Sequence, residues 1–384
     1  MNRSLMWLGA ALFTWGIGEG MFAIFQPIYL QELGASPVTI GWILFGAGFM
    51  MMIVPIPSGY ISDRWGRKEM LIAAWLCGVL AGLTMALARS LFVFVIGVLL
   101  YGVTLFVVSP LDSYLTAARG SWSVGRVITF SGIVYNAGAV IGPYAGGWIG
   151  EYYGLRTIYA AATGIFVFST IFIFLIEPQP RDHHDPADPP ADLMTNRRYL
   201  SFLSIFFIVA LATYLPQPLT PNFLENQREL SLAQIGTLGS IGGIGNTTFN
   251  FLLGMLEARS GFLLGQVGVM AFAALLWKGT GFGWFAIAYF MLGGFRALRG
   301  LGIAQVRPLV HESQMGLAYG VAETVGSATI MLGPPIAGYL YSINPSIMYP
   351  VGLVAIVIGF IISAIFTPHS KHVHPEHIDL PHQP

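Results

Sequence analysis

Four ionisable side chains sit inside long apolar runs: Glu19 in WGIGEGMF, Arg296 and Arg299 in GGFRALRGLGIA, and Glu323 in YGVAETVGSA. A charge placed among apolar residues is costly unless it is paired or used. A buried carboxyl holds a proton more readily than one in water, so Glu19 and Glu323 are candidate proton carriers. A guanidinium in the same surroundings would pair with a carboxylate or bind an anionic ligand. Arg296 or Arg299 could pair with Glu323 as a structural ion pair between neighbouring helices. Glu19 lies far from both arginines in the chain, so pairing there would have to cross the middle of the molecule.

Helical spacing groups further polar residues with these charges. Trp15, Glu19, Phe22 and Gln26 follow one another at four, three and four residues, a single stripe expected to line a cavity. Asn246 and Asn250 stack one turn apart, as do Tyr319 and Glu323, and Arg296 and Arg307 fall on one face if the helix runs that far. With Asn136 these residues give the candidate substrate-binding set Gln26, Asn136, Asn246, Asn250, Arg296 and Arg299. There is no nucleotide loop, paired-His motif, nucleophile elbow or other catalytic constellation, which argues against an enzyme and implies no cofactor. Cys77 is the only cysteine, leaving no intrachain disulfide or thiolate cluster. Five of the eight histidines fall after residue 366, at spacings that fit no closed metal site, so no metal is expected.

The elements that carry these residues follow from composition. The 384 residues are 55% hydrophobic and only 9% charged, with no net charge, and a mean hydropathy of +0.69. Soluble domains are roughly 45 to 50% apolar. A bilayer core about 30 Å thick needs about 20 mostly apolar residues per helix. Twelve such runs occur, near 5–30, 38–60, 69–88, 91–118, 123–149, 155–177, 199–224, 231–256, 262–277, 282–308, 316–341 and 346–366. Long runs with interior Gly and Pro exclude a barrel, so the fold class is all-α integral membrane. The first run carries Glu19 and no small-residue cleavage site, and is expected to be a retained helix rather than a signal peptide.

Residues 178–198 are rich in Pro and Asp, read as a linker between an N-terminal six-helix bundle (1–177) and a C-terminal one (199–366), with a disordered His-rich tail (367–384). The halves echo each other. GYISDRWG at 59–66 matches GMLEARSG at 254–261 in Gly, Arg and Gly, and GPYAGG at 142–147 matches PPIAGY at 334–339. Alternate loops segregate the bases. One side holds Arg3, Arg64, Arg67, Lys68, Arg119, Arg126, Arg181, Arg197, Arg198, Arg259, Arg307 and Lys371, against Arg89, Arg156, Arg228 and Lys278 on the other. The positive-inside rule then puts both termini and the linker in the cytoplasm of a plasma or inner membrane.

GYISDRWGRK resembles the cytoplasmic loop signature of the major facilitator superfamily, with Ile61 in place of the usual Leu. The twelve spans, central linker and half-repeats extend the resemblance over essentially the whole chain. It implies two pseudo-symmetric six-helix bundles that rock about a midplane site. It also implies a conformational latch from Gly59, Asp63, Arg64, Gly66 and Arg67, with Asp112 and Arg259 as partners, that holds the cytoplasmic ends together when the site faces outward. GAVIGPYAGG, with Gly138, Gly142, Pro143, Gly146 and Gly147, resembles the fifth-helix signature of the drug:proton antiporters in that family. Its physical content is a small-residue packing face with a Pro kink. RALRGLGIA resembles a third signature, but in the tenth helix instead of the fourth and with Arg299 where Gln is usual.

The resulting expectation is a monomeric secondary transporter whose partners are a small-molecule substrate, protons and the lipid bilayer, with no nucleic acid. Proton-coupled efflux of drugs or amphipathic molecules is the first reading. Uptake or exchange of an organic anion or sugar through Arg296 is the second. A non-transporting sensor or assembly partner on the same fold is a third, of a different class.

Overall fold

The computed structural model describes residues 3–55, 58, 61, 65–178, 195–310 and 315–366. Gly59, Asp63 and Arg64, most of the linker and the His-rich tail lie outside the described residues. All regular structure among the described residues is helical, in twelve columns. The first column is α1 (Arg3–Ala23) and α2 (Gln26–Glu32), bent by 42° just ahead of Pro27. Then come α3 (Pro37–Ile53) and α4 (Arg67–Leu87). The fourth column is α5 (Leu91–Val103), a 3-10 turn (Thr104–Val107) and α6 (Val108–Ala118), followed by α7 (Val124–Tyr153) and α8 (Leu155–Phe174). The second half repeats the order with α9 (Arg197–Tyr214) and α10 (Thr220–Arg228), α11 (Leu232–Gly254), α12 (Ala258–Lys278), α13 (Phe282–Ala304), α14 (Met315–Ile343) and α15 (Met348–Phe366).

Seven columns are long and apolar enough to cross a bilayer unaided, and the bent first pair makes an eighth. Of the rest, α3 is short, while α11, α13 and α14 carry Gly, Asn, Arg and Glu that lower their hydropathy. Corresponding helices of the two halves start 191 to 195 residues apart, and both first columns break in the same place, at Pro27 and in the Pro216–Pro221 stretch. Pro lacks the N–H that would continue the ladder and starts a new helical segment at no cost, which favours a break there.

Helix ends are set locally. Ser36, Ser90, Ser123, Asn196 and Ser231 each accept a backbone N–H three residues on, and Ser231 forms a full capping box with Gln234. Gly66 enters α4 at φ +110°, a conformation open to Gly alone. Lys68 Nζ donates to the Phe174 carbonyl at 3.2 Å, and Arg259 donates to the Ala364 carbonyl. These are the same contact in the two halves, a base in the first turn of the third and ninth columns capping the last turn of the sixth and twelfth. Lys68 and Arg259 hold the same place, each the second residue of its helix, while Arg64, which the sequence echo sets against Arg259, lies outside the described residues.

The two ends of the bundle differ. At the end away from the linker, called here the far end, α3 meets α14 and α7 meets α11 across the halves with backbone in contact. A Cβ on Gly41 would lie 2.6 Å from the Pro334 carbonyl oxygen, and one on Gly147 would lie 2.6 Å from that of Leu232. Asn222 and Asn226 of α10 close the same end by donating to Gln31 Oε1 at 2.7 and 3.0 Å. Toward the linker end the inward faces separate. Gly125 and Gly132 of α7, Gly300 of α13 and Gly320 of α14 have nothing within 4 Å of where a side chain would begin. Among the described residues, the halves are shut together at the far end and stand open at the linker end.

Candidate functional site

Between the halves lies a cavity of about 470 Å³ whose polar lining comes from Glu19, Gln26, Tyr135, Asn136, Tyr214, Gln217, Asn246, Tyr289 and Arg296. Leu44, Ala47, Phe272, Phe295 and Ile330 supply apolar wall. This is the size and mixture expected of a small-molecule site: mostly apolar lining with a few directed polar groups.

The GAVIGPYAGG segment builds one wall. Gly138, Gly142 and Gly146, at four-residue intervals, face the α1 backbone at Phe13, Ile17 and Met21. Any side chain there would drive α1 and α7 apart. Pro143 and Gly147, on the adjacent face, meet Gly236 and Leu232 of α11 in the other half. One stretch therefore sets both the packing within its half and the closure between halves. Its echo contributes to the closure between halves, with Pro334 and Pro335 against Gly41, and Gly338 against Pro37.

Close α1–α7 packing brings Tyr135 to Glu19. The tyrosine hydroxyl donates to Glu19 Oε2 at 2.7 Å, and Tyr101, buried behind α1, interacts with the same carboxyl. The four-residue stripe on the first column splits. Glu19 and Gln26 line the cavity, whereas Trp15 and Phe22 turn into the bundle core, with ring centroids 4.2 Å from Phe166 and 5.1 Å from Tyr101 respectively. At 100° per residue, Trp15 and Phe22 occupy one edge of that stripe and Glu19 and Gln26 the other. The aromatic edge finds the core and the polar edge the cavity.

In the other half the arginines take different roles. Arg299 pairs with Glu323 at 3.1 Å and with Ser327 Oγ at 3.1 Å, lying along α14 instead of lining the cavity. Arg296, one turn earlier, faces the cavity and is exposed there, with no hydrogen bond or ion pair among the described residues. Its charge reaches the hydroxyls of Tyr135 and Tyr214. Arg307 does not share its helix, because α13 ends at Ala304 and Arg307 begins a separate 3-10 turn. Asn136 and Asn246 meet across the halves at 3.5 Å. Asn250 is exposed outside the cavity lining and donates to Asn246 Oδ1 at 2.6 Å.

Of the gate residues within the described part, Arg67 is buried, Asp112 is exposed on α6 with no ion pair among the described residues, and Arg259 caps α15 within its own half. The Arg259 contact stays within the C-terminal half. Tyr135 and Tyr214 escaped the sequence reading. A signal existed for Tyr135, which sits three residues before Gly138, on the side of α7 that packs on α1.

The Major Facilitator Superfamily model matches residues 8–256 and again 202–384, together almost the whole chain. The chain belongs to the major facilitator superfamily. Curated relatives include the class B tetracycline resistance protein of Escherichia coli, 23% identical over 85% of each chain. Another is the multidrug resistance protein MdtG of Salmonella arizonae, 27% identical over 55% of each. Among solved structures, the nucleoside transporter NupG superposes with a TM-score of 0.78 at 15% identity, covering 95% of this chain and 98% of that one. A D-xylose-proton symporter gives 0.73 at 15%, covering 96% and 98%. This facilitator-superfamily chain is thus a multi-pass membrane transporter, not an enzyme, with a small molecule as its cargo.

Proposed function

We propose that this transporter exports drug-like amphipathic molecules from the cytoplasm in exchange for protons, working as a monomer in the inner membrane with both termini cytoplasmic. The observation that carries the reading is Glu19, a carboxyl lining the cavity, held by the Tyr135 hydroxyl at 2.7 Å and backed by Tyr101. It can take up a proton in one orientation and release it in the other, with cargo competing for the deprotonated form. The tetracycline and multidrug resistance relatives support export. Under the positive-inside rule the linker end is cytoplasmic, so the conformation described is open inward. The latch of Asp63, Arg64 and Arg67, with Asp112 and Arg259, would engage when that end closes. Asn136, Asn246 and Gln26 would hydrogen-bond cargo, and Glu323 would neutralise Arg299.

The unpartnered Arg296 favours a second reading, symport of an organic anion. Proteoliposomes loaded with a pH-sensitive dye separate the two. Export by exchange requires a lipophilic cation to dissipate an imposed proton gradient with the wild type and not with Glu19→Gln. Full gradient-driven transport by that variant would remove Glu19 from the proton path. Proton entry accompanying organic anions alone would establish symport.

A further inference from the structure

We propose that the cargo this cavity selects is amphoteric, with a cationic group that docks on Glu19 and an anionic group that docks on Arg296. The inference rests on the reading of Glu19 as the exchanging proton site. Glu19 on α1 and Arg296 on α13 line the same cavity from opposite halves, and no ion pair joins them among the described residues. The other two intramembrane charges, Arg299 and Glu323, already neutralise each other at 3.1 Å. That leaves one carboxyl and one guanidinium facing the cavity, each a group that costs at least about 2.5 kcal/mol to hold at bilayer depth. The carboxyl has its tyrosine; the guanidinium has no protein partner among the described residues.

The sign of the coupling narrows the ligand. Exchange requires cargo and proton to compete, which a cationic group on Glu19 does and an anionic group does not. An anion on Arg296 alone binds best when Glu19 is protonated and neutral, so it would travel with the proton, opposite to export by exchange. A cation alone would sit on Glu19 with Arg296 unneutralised in the same cavity, where like charge repels it in a low dielectric. A neutral molecule leaves both charges desolvated and unmatched. A ligand bearing both groups satisfies each half of the protein and competes with the proton. It also draws α1 and α13 together across the opening, as the next conformation requires.

Three fluorescent probes that share one apolar body isolate the two charges. Dansyl-cadaverine carries only an ammonium, lysine dansylated on its side-chain amine adds a carboxylate beside that ammonium, and dansyl-aminohexanoate carries only the carboxylate. Binding to the full-length protein in lipid nanodiscs, read by dansyl emission, is expected to be at least tenfold tighter for dansyl-lysine than for either single-charge probe. Arg296→Gln should bring dansyl-lysine down to the affinity of dansyl-cadaverine, with that of dansyl-cadaverine unchanged or improved. Equal affinities for the three probes, failure of dansyl-lysine to bind, or an equal loss for all probes in Arg296→Gln overturns the proposal. Proton movement keeps the two ideas apart. Glu19-dependent exchange of dansyl-cadaverine without preference for dansyl-lysine would leave proton-coupled export standing and remove the amphoteric cargo. Preference for dansyl-lysine with no proton movement would do the reverse.

Discussion

The two ends of the cavity are built on different principles. At the far end, helices from opposite halves touch through Gly41, Gly147, Gly236 and Gly338, with carbonyl oxygens where side chains would otherwise be. A clasp of Asn222, Asn226 and Gln31 lies beside them, with the Asn222 amide also donating to the Pro27 carbonyl at 3.0 Å. At the linker end the same helices stand apart among the described residues, and the side chains of the proposed latch there, Arg67, Asp112 and Arg259, are charged. Backbone contact through glycine is short-ranged and fails at the first added methyl group, so it defines one closed geometry sharply. Charge contacts tolerate separation and re-form, which suits an end that must open and shut while retaining its partners. The far end is therefore held by backbone contact at glycines and by an amide clasp, whereas the linker end is where the proposed charged latch would act.

Substitutions at each end put that contrast under strain. The largest effect is expected from Gly236→Val, whose branched side chain would run into the Pro143 carbonyl and Gly147. Overpacking of this kind costs about 1 to 3 kcal/mol or more. The far end should stay open, seen as labelling by a membrane-impermeant thiol reagent of a cysteine placed at Ala47 on a cysteine-free background, with transport lost. A closed far end in that variant would mean the glycine contacts do not define it.

Next comes Asn222→Ala, which removes the hydrogen bonds to Gln31 and Pro27. Losing bonds from a buried amide costs about 1 to 3 kcal/mol. The same labelling assay should therefore show partial opening, several-fold faster than wild type. Wild-type labelling would reduce the clasp to a bystander.

At the linker end the sign should reverse. Gly132→Ala adds a methyl group to a helix with open space around it and should raise the thermal stability of this conformation by about 0.5 to 1 kcal/mol. A fall would show that α7 is packed there after all.

The smallest change is expected at Arg299 and Glu323. The glutamate side chain is 57% exposed from protein, and a pair that water reaches contributes about 1 kcal/mol or less. A double-mutant cycle on stability with Glu323→Gln and Arg299→Gln should give a coupling no larger than that. A greater value would move this pair from neutralisation to the mechanism.

Much of this was legible along the chain, because lipid leaves little choice to the backbone. Every peptide group must bond within its own segment, so apolar runs broken by Gly, Pro and charged loops read directly as helices. The paired motifs GYISDRWG with GMLEARSG and GPYAGG with PPIAGY point to the repeat, and the helices of the two halves start 191 to 195 residues apart. The fifth-helix glycines were legible too, since four-residue spacing of residues without side chains can serve only close approach. What helical spacing could not decide was which edge of a stripe meets what. Trp15 and Glu19 are one turn apart, yet one joins an aromatic core and the other a cavity, a division set by the neighbours α4, α5 and α8.

The sequence favoured Arg296 as an anion ligand but left open which of Arg296 and Arg299 pairs with Glu323. Only the approach of α14 gave Arg299 its carboxylate and left Arg296 to the cavity. The sequence by itself determined the twelve helices, their repeat and their small-residue contact faces, because these depend on solvation and local sterics. Tertiary structure alone decided that Tyr135 holds Glu19, that Glu323 is neutralised and that the far end is shut. Each of those depends on pairs of groups more than twenty residues apart, which no local rule brings together.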